Sequence, residues 1–297
     1  MTASTSLYDE SDPRPGSPLP GGAHLDSTAH LMNRISSQLA SQLSLVSREG
    51  RRRPGPPALV VVAHGSRDPR ALSTVSALLD RVRALRPGLP VHLGHIELNE
   101  PLLTDTLAAL DAAGTADAVL VPLLLSRGYH VKRDIPEMAA EVGVRTHLAA
   151  PLGPHPLLVE ALYARLVEAG WRTPSESERR TSAVVLAAAG SRDPDSAVDT
   201  RRTAQFLAER LGVPVVPAYA TTATPTVPTA IRALTARGRH RIAVASYFTA
   251  PGRFATECAD LAPWIASAPL GTHEAMARLV LHRFDQTLAT ATASTAA

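Results

Sequence analysis

Two stretches of this chain nearly repeat each other. LVVVAHGSRDP runs over residues 59–69 and VVLAAAGSRDP over residues 184–194, with the last five residues identical and an apolar run of equal length before them. Further landmarks recur in the same order: Pro90 with Pro214, Pro101 with Pro225, Gly128 with Gly252, and APLGPH (150–155) with APLGTH (268–273). Self-similarity at a period of roughly 120 residues means that one domain has been duplicated, so the chain must fold into the same unit twice.

The pattern inside the repeat fixes the kind of unit. ALVVVA, PVHLGHIEL, DAVLVPLLL and VRTHLAA read as strands, separated by the amphipathic stretches PRALSTVSALLDRVRALR, EPLLTDTLAALDAAG, HVKRDIPEMAAEVG and HPLLVEALYARLVEAG. Strands apolar throughout, alternating with crossover helices, predict a parallel sheet covered on both faces. The expected fold class is α/β, with two similar domains of four parallel strands each, flanked by helices. The expected boundaries are an active domain over 58–170, a polar linker over 171–181 (WRTPSESERRT), a degenerate domain over 182–289 and a disordered tail over 290–297. Residues 1–57 differ in character. SDPRPGSPLPGG and REGRRRPGPP predict disorder or linker, and Leu31, Ile35, Leu39, Leu43 and Val46 between them have the spacing of one amphipathic helix.

Composition narrows the function. The 297 residues carry a net charge of +3 and 4% aromatics, which gives no footprint for nucleic acid. A single cysteine, Cys258, excludes an internal disulfide and a cysteine-based zinc site, and fits a reducing cytoplasm. No apolar run is long enough to span a membrane, and the N-terminal residues, with Asp9, Glu10 and Asp12, do not read as a targeting peptide.

The two copies differ where chemistry is expected. In an open parallel sheet, ligands bind beyond the carboxyl ends of the strands. There the first copy places His64, Glu97 and His130; the second has Ala189, Thr221 and Phe254. All three titratable groups are lost together, whereas Gly-Ser-Arg-Asp-Pro persists. The retained residues therefore read as architecture: Gly65 and Gly190 for a tight turn, Asp68 and Asp193 as helix caps, Pro69 and Pro194 in the first helical turn. His155 and His273, present in both copies at a helix start, also read as structural. Two imidazoles and a carboxylate suit a first-row divalent metal with open coordination positions, or proton abstraction near neutral pH. A serine hydrolase using Ser66 with His64 is disfavoured, because the two are nearly adjacent in one turn and GxSxG is absent.

AHGSRDP, IELNEPLL and PLLLSRGYHVKRDIP resemble the signature segments of the ATP-independent class II tetrapyrrole chelatases, in particular the sirohydrochlorin chelatases, and the resemblance extends over residues 58–288 in the long, two-domain form. It implies insertion of a divalent metal (Fe2+, then Co2+, with Ni2+ a third option) into sirohydrochlorin in siroheme or cobalamin biosynthesis. His64, His130 and Glu97 are implied as metal-handling and catalytic groups. No nucleotide is expected, in agreement with the lack of a P-loop or dinucleotide fingerprint. Because sirohydrochlorin is rich in carboxylates, Arg67, Arg127, Lys132 and Arg133 are candidate substrate contacts, with Ser66 and Tyr129 beside them. The plain tail ATATASTAA favours iron over cobalt. Both sides of the cleft would come from one chain, so a monomer without nucleic-acid or membrane partners is expected. The competing expectation is a non-catalytic carrier of metal or tetrapyrrole.

Overall fold

The computed structural model describes residues 56–295; the expectations for the N-terminal extension, including its amphipathic helix, lie outside them. The element order is β1 (Ala58–Ala63), α1 (Pro69–Leu85), β2 (Val91–His95), α2 (Leu103–Ala112), β3 (Asp117–Pro122), a π-helical turn (His130–Asp134) running into α3 (Ile135–Ala140), β4 (Arg145–Leu148) and α4 (Pro156–Glu168). After α5 (Glu176–Thr181) the series repeats as β5 (Ser182–Ala188), α6 (Pro194–Leu211), β6 (Val215–Tyr219), α7 (Val227–Thr235), β7 (Arg241–Tyr247), α8 (Arg253–Asp260), β8 (Ile265–Ala266) and α9 (Glu274–Thr295). There are two four-stranded sheets, ordered β2-β1-β3-β4 and β6-β5-β7-β8, and every strand pairing is parallel. The expected fold class is what forms.

The apolar strands are buried on both faces, and their period of two sorts the side chains. Ala58, Val60 and Val62 meet Leu103, Leu107 and Ile135 in a core private to the first half. Ala183, Val185 and Ala187 do the same with Val227, Ala230 and Leu234 in the second. The alternate residues, Leu59, Val61 and Ala63 with Val184, Leu186 and Ala188, share one continuous core between the halves.

That shared core is built by an exchange of helices. α4, the last helix of the first half, packs on α6 and β7 of the second; α9, the last helix of the second, packs on α1, β3 and β4 of the first. Both helices are apolar along the contact: Leu158, Ala161, Leu162 and Leu166 of α4 and Ala275, Met276, Leu279 and Val280 of α9 are fully buried. Polar ties cross with them. Arg86 pairs with Asp285 at 2.5 Å, Arg165 donates to the Leu270 carbonyl, and Arg283 donates to the Leu152 carbonyl. The repeat boundary in sequence is thus not a boundary in packing, and the described residues form one compact unit.

Two segments differ from the sequence reading. The stretch 171–181 was expected as linker, yet Trp171 is 1% exposed in the shared core, and Ser175 and Glu178 form a reciprocal capping box that starts α5. α9 also runs through Thr295, across the expected tail.

His155 and His273 have the structural role expected of them. Each ring Nδ1 accepts a backbone N–H two residues on (Leu157, Ala275; both 3.2 Å) at the start of α4 and α9. An imidazole that accepts at Nδ1 must stay neutral. Burial pushes the His155 pKa down to about 4 from 6.5, helped by the Arg283 and His282 charges. The unfolded chain therefore takes up a proton below about pH 6.5 that the folded chain refuses until about pH 4, so stability falls as pH drops through this window. His155→Asn keeps a cap acceptor and removes the titration. Urea midpoints across the window should fall less steeply for this variant than for the wild type, and equal slopes would refute the assignment.

Candidate active site

Strand order decides which candidate residues meet. β1 lies between β2 and β3, so the residue after β1 stands between those that follow the other two. The crevice between β1 and β3 is also where the strand order reverses, the usual ligand position in an open α/β sheet. His64 accordingly touches both partners: its Nδ1 is 3.5 Å from Glu97 Oε1, and its ring meets that of His130 edge to face with centroids 4.6 Å apart. Tyr129 is 63% exposed, and its ring lies 6.4 Å from that of His130.

The turn that presents His64 depends on a close backbone approach. Gly65 has φ +103°, and a Cβ there would fall 1.8 Å from the Glu97 carbonyl oxygen. Gly190 repeats this at φ +95° against the Thr221 carbonyl, at 2.1 Å. Ser66 Oγ accepts from the Asp68 amide and Ser191 Oγ from the Asp193 amide, while Asp68 and Asp193 cap α1 and α6 through the amides of Arg70 and Asp195. Gly-Ser-Arg-Asp-Pro is therefore the shared machinery of the turn, and Ser66 works there in both copies. In the first copy Asn99 adds a bond, accepting the Ser66 amide at 2.7 Å.

Sequence reasoning missed Asp134, whose Oδ2 accepts from His130 Nδ1 at 2.5 Å. The signal was present as His-x-x-x-Asp, the spacing that brings two side chains together on one helical face. A carboxylate only accepts, so His130 holds its proton on Nδ1 and offers the Nε2 lone pair outward. A carboxylate hydrogen-bonded behind an imidazole fixes the tautomer and raises the basicity of the other nitrogen. His64 Nδ1 faces Glu97 Oε1 at 3.5 Å, an ion-pair approach without a hydrogen bond, so no tautomer is fixed there. The donors stand as two imidazole–carboxylate pairs. Among the described residues, no three histidine, cysteine or acidic side chains form a ready-made metal cage.

The two imidazoles open onto a cleft of about 1180 Å³ lined by both halves, with Glu97 and Asp134 outside its lining. His64, Arg67, Tyr129 and His130 line one side; Thr221, Arg253 and Phe254 line the other. The volume exceeds the roughly 300–1,000 Å³ of ordinary small-molecule pockets and suits a large ligand.

The expected cations divide. Arg67 is exposed on the cleft wall. Arg127 also lines the cleft, and both it and Lys132, expected to meet substrate, are engaged by the second half: Arg127 grips Asp199 through Nε and Nη2 at 3.0 and 2.7 Å, and Lys132 Nζ lies 2.7 Å from Asp193 and 2.9 Å from Asp195. These carboxylates raise the pKa of both cations. Neither Lys132 nor Arg133 lines the cleft. Arg253, which sequence reasoning passed over, does; its guanidinium lies over the Phe254 ring at 4.6 Å.

Fold and site together define a class: a two-lobed, duplicated α/β protein with paired imidazoles at the switch point of one lobe and a large cleft between the lobes. The CbiX family profile matches residues 58–169 and again 183–287. The chain belongs to the CbiX family. It is 34% identical over 175 residues to the sirohydrochlorin ferrochelatase of Bacillus subtilis (strain 168), covering 57% of this chain and 64% of that protein. It is 32% identical over 90 residues to a sirohydrochlorin cobaltochelatase of Methanococcus aeolicus, covering 30% of this chain and 63% of that one. The chain thus spans somewhat under two thirds of the length of these relatives. Among solved structures, SirB from Bacillus subtilis with Fe3+ superposes with a TM-score of 0.66 at 25% identity, over 80% of this chain and 97% of that one.

The turn geometry predicts the effect of one substitution. Gly65→Ala must move the Glu97 backbone and adopt a strained φ, which costs about 1–3 kcal/mol or more. Chemical denaturation should register that loss, and a variant as stable as the wild type would contradict the close approach.

Proposed function

We propose that this chain inserts a divalent metal, Fe2+ or Co2+, into sirohydrochlorin without a nucleotide. The observation that carries this reading is the meeting of His64, Glu97 and His130 at the switch-point rim of a cleft large enough for a tetrapyrrole. The family membership and the names of its relatives support the substrate class.

Insertion exchanges two protons for one metal ion: the macrocycle loses two N–H protons, four nitrogens bind the metal, and the protons must leave the rim. The two imidazole Nε2 atoms supply what this needs. Each can ligate a metal or accept a proton, and the Asp134 carboxylate on Nδ1 fixes the tautomer of His130. An ion held by neutral imidazoles with open positions can be surrendered to the macrocycle, where a closed four-ligand cage would retain it. Asp134 and Glu97 stabilise each imidazolium that forms and orient the rings. Arg67 and Arg253, on opposite walls of the cleft, are the cations we assign to the substrate's carboxylates, and Phe254 offers an aromatic face where the first half has His130. A carrier would hold its ion in a closed donor set; two separate imidazole–carboxylate pairs favour transfer.

The test is an anaerobic absorbance assay with sirohydrochlorin and Fe2+, Co2+ or Ni2+. The wild type should turn over repeatedly, and His64→Ala or His130→Ala should lose about 100-fold or more in kcat, the scale of a positioned acid–base group. Spectral change limited to one equivalent, with no rate above the protein-free control, would establish the carrier instead.

A further inference from the structure

The second half has lost His, Glu and His, yet it retains a full domain. We propose that it acts as a positioning domain for His130, by clamping the segment that carries this residue with three aspartates that the first copy lacks or uses otherwise. This rests on the chelatase reading above only for the role given to His130.

The segment leaving β3 is tied to the second half along its whole course. Tyr247 Oη donates to the Leu125 carbonyl at 2.9 Å, and the Ser126 and Ser196 hydroxyls meet at 2.8 Å. Arg127 meets Asp199 three times, through its backbone N–H at 2.9 Å as well as Nε and Nη2, and its Nη1 lies 3.5 Å from Asp195. Lys132 closes the clamp on Asp193 and Asp195. His130 lies between Arg127 and Lys132, with both flanks held. Asp199 is 3% exposed, so its charge requires this pairing, and a bidentate guanidinium fork fixes direction as well as distance. Burial raises the pKa of Tyr247, which keeps its phenol a neutral donor.

The asymmetry of the repeat indicates that the clamp is specific. Asp195 and Asp199 stand where the first copy has Arg70 and Thr74; Ser126, Arg127 and Lys132 stand where the second has Ala250, Pro251 and Thr256. Anions lie on one copy and cations on the other. Among the described residues, no hydrogen bond or ion pair forms the reciprocal clamp between residues 249–256 and the start of α1. Asp193 serves twice, capping α6 and binding Lys132, which draws its pKa down. The copy without the reactive residues has thus kept its turn and added charges that hold the reactive copy's loop. Asp199, Asp195 and Asp193 are positioning residues, acting through Arg127 and Lys132.

The experiment compares full-length wild type, Asp199→Asn and Lys132→Met, the last removing a half-exposed cation from its pairs with Asp193 and Asp195 while leaving the apolar core untouched. Arg86→Ala is the control, because it breaks a tie between the halves, from the end of α1 to α9, that does not involve the His130 segment. Two readouts are used: kcat and KM for metal insertion, and the Cε1–H NMR signal of His130, assigned with His130→Gln. Asp199→Asn should lower kcat about tenfold with KM for the tetrapyrrole within about twofold, inside the roughly 100-fold that a 1 Å misplacement can cost. Lys132→Met should lower kcat about threefold, and Lys132→Arg should restore it, because the charge and not the packing is at issue. The His130 signal should shift or broaden in both impaired variants and stay unmoved in Arg86→Ala. An unmoved signal and unchanged kcat in folded Asp199→Asn and Lys132→Met would overturn the proposal, as would equal effects from Arg86→Ala. If the wild type shows no turnover, the chelatase reading fails separately; the His130 signal alone then upholds or overturns the clamp.

Discussion

A parallel strand buried on both faces leaves only its end for chemistry. β1 along its full length and β5 from Ala183 onward are apolar and covered on either side, which leaves no place for reactive groups within them. Reactive groups are confined to the turns at the carboxyl ends, and the order β2-β1-β3-β4 selects which turns adjoin. His64 can reach Glu97 and His130 because β1 is central. The cleft, the tautomer set by Asp134 and the glycine turn all follow from that confinement.

Duplication allows the two ends of the same architecture to take different tasks. Both copies preserve the turn down to the serine that accepts the amide two residues on. They diverge around it: imidazoles and carboxylate on one side, phenylalanine and arginine on the other. The latter pair still lines the cleft. A surface that has lost one chemistry thus remains available for recognition and for support.

The fold was readable because its signals are local and repeated. Apolar strands, amphipathic helices and turn residues appear twice, and each copy checks the other. The convergence of His64, Glu97 and His130 was legible for the same reason, through their joint loss in the second copy. What could not be read depends on pairing between distant segments. Arg127 and Lys132 look like free cations until the fold brings Asp193, Asp195 and Asp199 against them. Trp171 looks like linker because its partners lie in other elements. Asp134 was within reach, since its spacing from His130 is that of one helical turn, but a carboxylate one turn along a helix is common and gains meaning only from what the histidine does.

The helix exchange also sets an order of assembly. α9 covers β3, β4 and α1, yet it is the last described element of the chain to be synthesised. A nascent chain emerging from its N-terminus therefore carries the first sheet with that face covered by α1 but not yet by α9 through the synthesis of the second half. During that interval the apolar residues of β3 and β4 that later meet α9 stay unshielded. The reactive lobe is made first and finished last, and its maturation is paced by the completion of the partner copy.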